Sequence, residues 1–138
     1  LNRLSAAGYV LAICTNKMER HSKRLIEALG LADRFQAICG QDTFPFRKPD
    51  PRHLFGTIEA AGGDVERAVM VGDSRTDIDT AKAAGIPVVA VDFGYSDQPV
   101  RTLEPSKTIS HFDELTAALA NALIGGAPNA ARAGLTRA

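Results

Sequence analysis

Short apolar runs alternate with stretches of helical spacing along this chain, and the alternation limits the fold more than any other feature. Tyr9-Val-Leu-Ala-Ile-Cys14 lies between Gly8 and Thr15-Asn16, Phe35-Gln-Ala-Ile-Cys39 stops at Gly40, Ala68–Val71 stops at Gly72-Asp73, and Val88–Val91 follows Pro87. Brief apolar runs bounded by turn residues read as strands buried on both faces. Between them the spacing predicts helices. Over residues 17–29, Leu25, Ile26 and Leu29 should face inward and Lys17, Glu19, Arg20, Lys23 and Arg24 outward, as a solvated basic face. Asp50 as N-cap and Pro51 at the first helical position start a second helix, closed near Ala61 by Gly62-Gly63. Residues 75–84 form a third, closed by Gly85. Thr108–Phe112 reads as a short fifth strand, and Asp113 as the cap of a last helix over 114–124.

The resulting β-α-β-α-β-α-β order is an α/β fold, a three-layer, Rossmann-like, doubly wound parallel sheet with helices on both faces. Residues 1–124 make one core, and the Gly/Ala/Pro/Arg-rich residues 125–138 read as a disordered tail. Leu1 and Leu4, followed by Gly8, read as the last turns of a helix, so the chain looks cut at its start.

With 138 residues and 45% apolar side chains, the chain can bury one sizeable core. Its 16 Lys plus Arg balance 16 Asp plus Glu. That balance gives no electrostatic case for nucleic acid or an anionic membrane as partner. No apolar run approaches the roughly 20 residues of a membrane span, and no signal-peptide pattern appears. Cys14 and Cys39 lack zinc-site spacing and read as reduced core thiols, which fits a cytoplasmic location. His21, His53 and His111 are scattered, without metal spacing, and are expected on element surfaces.

In parallel sheets of this kind ligands sit beyond the carboxyl ends of the strands. The polar residues of interest fall there: Thr15 and Asn16, Gly72 and Asp73, and Asp92. No glycine-rich nucleotide loop is present. Asp73 and Asp77, at a strand-to-helix turn, suit a hard cation such as Mg²⁺. Ser74-x-x-Asp77 also resembles a capping box, so Asp77 has a second reading. Thr15 and Asn16 suit phosphoryl oxygens, or helix capping. Lys48 lies in Arg47-Lys48-Pro49-Asp50-Pro51 and can neutralise a phosphate, or simply be solvated. Arg75 could meet substrate or pair with Asp79.

Taken together, "ICTNK", "RKPDP" and "VGDSRTD" resemble the second, third and fourth motifs of the haloacid dehalogenase superfamily of Mg²⁺-dependent phosphohydrolases. With "VGDSRTDIDTAKAAG" and "FGY" the chain is most similar to the phosphoglycolate phosphatases of that superfamily, from Leu1 to about Leu123. The resemblance implies hydrolysis of a small phosphorylated metabolite through an aspartyl-phosphate, with Mg²⁺ as cofactor and 2-phosphoglycolate as the expected substrate. It implies that Thr15 and Asn16 hold phosphoryl oxygens and that Lys48 orients nucleophile and phosphate. Asp73 would ligate Mg²⁺, and Asp77 would support the metal site.

The family's first motif, DxDGT, supplies the nucleophile and the acid/base. No DxD precedes Thr15 here, and Asp77-Ile78-Asp79 lies in a helix without the GT. The family's cap domain has no counterpart either. The resemblance places the first-motif strand between the strands of 9–14 and 68–71. Without it two central strands keep unpaired edges, and the chain alone is expected to be inactive and poorly stable. Three alternatives stand beside this reading: a phosphatase or mutase for another small phosphate such as a sugar phosphate, a response-regulator-like binding module, and a truncated remnant that binds a partner.

Overall fold

The computed structural model describes residues 1–94 and 96–125; the expected tail from 126 on and Tyr95 of "FGY" lie outside them. The elements run α1 (Asn2–Ala6), β1 (Ala12–Cys14), α2 (Glu19–Ala28), β2 (Ala37–Cys39), α3 (Pro51–Ala60), β3 (Met70–Gly72), α4 (Arg75–Ala84), β4 (Val88–Val91), β5 (Lys107–Ile109) and α5 (Ala117–Ile124). Every strand pairing is parallel. The strands form two separate sheets, β1-β2 and β3-β4-β5, with no ladder between β1 and β3 among the described residues.

Local chemistry accounts for most boundaries. The Asp50 carboxylate accepts from Arg52 N–H at 2.9 Å, and Pro51 opens α3. Ser74 caps α4, and Gly85 ends it at φ 70°, a conformation that costs glycine nothing. β4 spans Val88–Val91 as the apolar run predicts, and all four residues are buried. The other strands are shorter than their apolar runs. β1 covers only Ala12–Cys14 of the run from Tyr9, because only those residues meet β2 in register.

Two apolar clusters hold the layers together. One joins Leu4, Tyr9 and Leu11 to Val69, Val71, Val89, Val91 and Ile109. The other joins Cys14, Leu54 and Ile58 to Met70, Ile78, Val88 and Ala90. Residues of β1 and of the run leading into it therefore share a core with β3 and β4 on both faces, although no ladder connects the sheets.

Three expectations need correction. Only Ile26 and Ser22 of α2 are buried, while Leu25 and Leu29 are 46% and 60% exposed. Their face looks into a cavity between the sheets, so nothing in the described chain covers it. The last helix starts later than expected: Thr116, not Asp113, caps α5 and accepts from Leu119 N–H, while residues 112–114 form a separate 3-10 turn. His53 is not on a surface; it is completely buried.

Candidate active site

The carboxyl ends of β1 and β3 converge on one cavity of about 750 Å³. Ile13 and Thr15 line it from one sheet, and Val71, Gly72 and Asp73 from the other. Among the described residues the exposed large apolar side chains are Leu1, Met18, Leu25, Leu29, Phe93 and Phe112. All but Met18 line this same cavity. So concentrated an apolar rim marks a surface built to be covered.

Behind the cavity wall lies a buried ion pair. The Lys48 ammonium meets Asp77 Oδ1, with side-chain exposures of 1% and 0%. Asp77 Oδ2 accepts from Asp73 N–H at 3.0 Å and from the Ser74 hydroxyl at 3.2 Å. Asp77 therefore ties the lysine of one sheet's loop to the strand-end turn of the other. Ser74 Oγ accepts from Asp77 N–H at 3.4 Å, as the capping reading expects, and the carboxylate of the same residue anchors Lys48.

Lys48 is held by its backbone as well. The Asn16 carboxamide donates to Lys48 O at 3.0 Å and accepts from Lys48 N–H at 3.1 Å. His53 Nδ1 faces the same N–H at 3.2 Å. The Lys48–Pro49 peptide is cis. Thr15 is buried, its N–H bonds Cys39 O at 3.0 Å, and its Oγ accepts from Lys17 N–H at 3.2 Å. The hydroxyl proton of Thr15 thus remains available to a ligand oxygen in the cavity.

Asp73 and Thr15 reach the cavity, whereas Lys48 and Asp77 stand behind it. Asn16, expected on phosphoryl oxygens, has its side chain on Lys48. Asp92 accepts from the Ser110 hydroxyl at 2.6 Å and from Arg101 at 2.9 Å, tying the end of β4 to the chain on both sides of β5. Arg75 meets Asp97 at 3.6 Å and not Asp79. Cys14 and Cys39, opposite each other in the β1-β2 register, are free and buried. Burial pushes the Cys14 thiol up to about 11 against the pull of the Lys48 charge, so both its location and its protonation make it inert.

Sequence reasoning gave no role to Gly94 or to a buried His53, and gave Gly72 none beyond its place at a strand end. A Cβ on Gly94 would overlap the Asp73 carboxylate, and a Cβ on Gly72 would overlap Asp77. The signal for Gly94 lay in "FGY", which drew notice only as a motif. Gly94→Ala should force the Asp73 carboxylate aside, because the added methyl would stand where that carboxylate lies. A carbon-13 spectrum of the Asp73 carboxyl in the variant checks this, and an unchanged shift would contradict it.

The donor chemistry fits Mg²⁺. Among the described residues no three His, Cys, Asp or Glu side chains cluster into a cage. Mg²⁺ does not need one, because one or two carboxylates, waters and a substrate phosphate suffice. Asp73 lines the cavity, its carboxylate packed against Gly94, and would be the residue to offer a hard oxygen to such an ion.

The parallel α/β core thus carries Thr15 after β1 and Asp73 after β3, with the buried Lys48–Asp77 pair behind them. The family model of haloacid dehalogenase-like hydrolases matches residues 1–91, and the chain belongs to that family. Among curated relatives, a phosphoglycolate phosphatase of Mesorhizobium japonicum is 70% identical over 125 residues, covering 91% of this chain and 55% of that protein. One of Agrobacterium fabrum is 53% identical over 124 residues, covering 90% and 53%. A solved structure described as a predicted phosphoglycolate phosphatase from Haemophilus somnus superposes with a TM-score of 0.77 at 30% identity, covering 83% of this chain and 51% of that one. The chain thus spans about half the length of the relatives it matches.

Proposed function

We propose that this chain is the phosphate- and Mg²⁺-holding portion of a phosphoglycolate phosphatase, acting on 2-phosphoglycolate. The observation that carries the reading is the network at the cavity: Thr15 and Asp73 on its wall, with the buried Lys48–Asp77 pair bonded to the Asp73 backbone. The names of the relatives at 70% and 53% identity support the substrate.

The cavity between β1 and β3 is the seat of a further strand carrying the nucleophilic and acid/base aspartates. One carboxylate oxygen attacks phosphorus as the ester bond breaks, giving an aspartyl-phosphate. The second aspartate gives its proton to the leaving alkoxide, then accepts one from the water that releases phosphate. In this step the Thr15 hydroxyl donates to a phosphoryl oxygen and orients the group. From behind the cavity wall the Lys48 ammonium lowers the energy of the negative charge gathered in the cavity, and Asp77 holds that ammonium in place. Asp73, fixed by its N–H bond to Asp77, presents a carboxylate to the metal. Mg²⁺, when bound, supplies Lewis-acid neutralisation of the phosphoryl oxygens.

The test mixes this chain with the part of the Mesorhizobium japonicum relative that it does not match, and assays phosphate release from a panel of small esters. Hydrolysis of 2-phosphoglycolate with the highest kcat/KM supports the reading. A preference for sugar phosphates would replace the substrate, and no turnover on any ester would reject the enzyme.

A further inference from the structure

His53 invites an explanation that the phosphatase reading does not supply. It is completely buried, in the first turn of α3, with its ring edge against Phe44 at 5.8 Å between centroids. An apolar side chain would fill this space without the cost of burying a polar ring. The ring's Nδ1 lies 3.2 Å from Lys48 N–H, so it accepts that bond and carries no proton. Nε2 then holds the proton. It has no partner in regular hydrogen-bond geometry, although the Gly40 backbone nearby still favours protonation.

The same Lys48 N–H also donates to Asn16 Oδ1 at 3.1 Å, and Lys48 O accepts from Asn16 Nδ2 at 3.0 Å. Asn16 follows β1, while His53 belongs to α3. The lysine's backbone is thus gripped from the sheet and from the helix at once. The helix grip depends on the turn that starts α3. Asp50 N–H bonds Arg47 O at 2.9 Å, and His53 N–H bonds Asp50 O at 3.1 Å, which folds residue 53 back under residue 48.

We propose that His53 is a positioning residue: its neutral ring, acting with the Asn16 carboxamide, sets the Lys48 backbone so that the ammonium reaches Asp77. What Lys48 does once placed rests on the phosphatase reading; the placement itself does not. Burial first, and the Lys48 charge second, lower the pKa of His53 and keep the acceptor form available. A proton on Nδ1 would remove the acceptor and set a cation against a cation.

The experiment uses the 138-residue chain and needs no substrate. Nitrogen-15 spectra of His53 read the tautomer, and amide exchange reads the Lys48 N–H against Ile58, an internal reference in the same helix. The expected ring has Nδ1 bare and Nε2 protonated. In His53→Leu the Lys48 amide should exchange about five- to tenfold faster relative to Ile58. His53→Asn, which returns an acceptor oxygen near the Nδ1 position, should recover most of that protection. Equal acceleration of both amides in His53→Leu would show a merely structural residue, and failure of His53→Asn to rescue would overturn the hydrogen-bond account. If His53→Leu does not fold, the wild-type spectrum decides alone, because a protonated Nδ1 contradicts the proposal.

Discussion

Asp77→Ala should destabilise the chain by about 3–5 kcal/mol, more than any exposed charge change. The reason is the buried partner. With the carboxylate gone, the Lys48 ammonium, 1% exposed, has lost its counter-charge in an interior that solvates it poorly. Asp73 N–H and the Ser74 hydroxyl lose their acceptor in the same step. Asp77→Asn should cost less, because an amide oxygen can still accept from Asp73 N–H. The double variant Lys48→Met/Asp77→Leu should recover much of the loss, since it removes both charges and refills the space. By contrast, breaking the exposed pairs Arg75–Asp97 or Lys23–Glu19 should change stability by less than about 1 kcal/mol. Urea unfolding midpoints at constant m-value measure the series. An Asp77→Ala variant as stable as Arg75→Ala would mean that the pair is solvated, contrary to its geometry.

The second large effect concerns the cavity between the sheets. Leu1, Leu25, Leu29, Phe93 and Phe112 are all more than 40% exposed along it. Covering a large apolar side chain is worth about 1.5–3 kcal/mol. A segment that covers several of them, and ladders with β1 and β3, should therefore raise the melting temperature by about 10 °C or more. Alone, the chain should self-associate through this face as its concentration rises. Light scattering and thermal melts, with and without the unmatched part of the Mesorhizobium japonicum relative, check both statements. A concentration-independent monomer whose melt ignores the added segment would count against the cavity as a strand seat.

Where the structure matched the sequence reading, the signals were local. Ser74 and Gly85 bracket α4 at the bounds they imply, Asp50-Pro51 starts α3, and the unbroken apolar run Val88-Val89-Ala90-Val91 makes β4. Caps and apolar runs act within a turn or a strand, so adjacent residues carry the information. The misses were set by distant partners. Spacing identified an apolar face on α2, but whether anything covers Leu25 and Leu29 depends on what occupies the cavity. Asp113 and Thr116 are both competent caps, and the 3-10 turn of 112–114 hands the helix to Thr116. His53 looked like any surface histidine because its partner, an N–H five residues earlier, comes near only through the turn of residues 47–50. Asn16 was expected on phosphoryl oxygens, yet its carboxamide bonds to the Lys48 backbone, 32 residues away.

The central claim is that Lys48 and Asp73 work on a phosphoryl group bound in this cavity. The most direct test completes the chain with the unmatched part of the Mesorhizobium japonicum relative and compares wild type with Asp73→Asn and Lys48→Met. The measured quantity is Mg²⁺-dependent phosphate release from 2-phosphoglycolate. The account predicts turnover in the wild-type assembly and a loss of at least about 10²-fold in each variant, with both variants still folded by circular dichroism. Turnover that survives either substitution would contradict it.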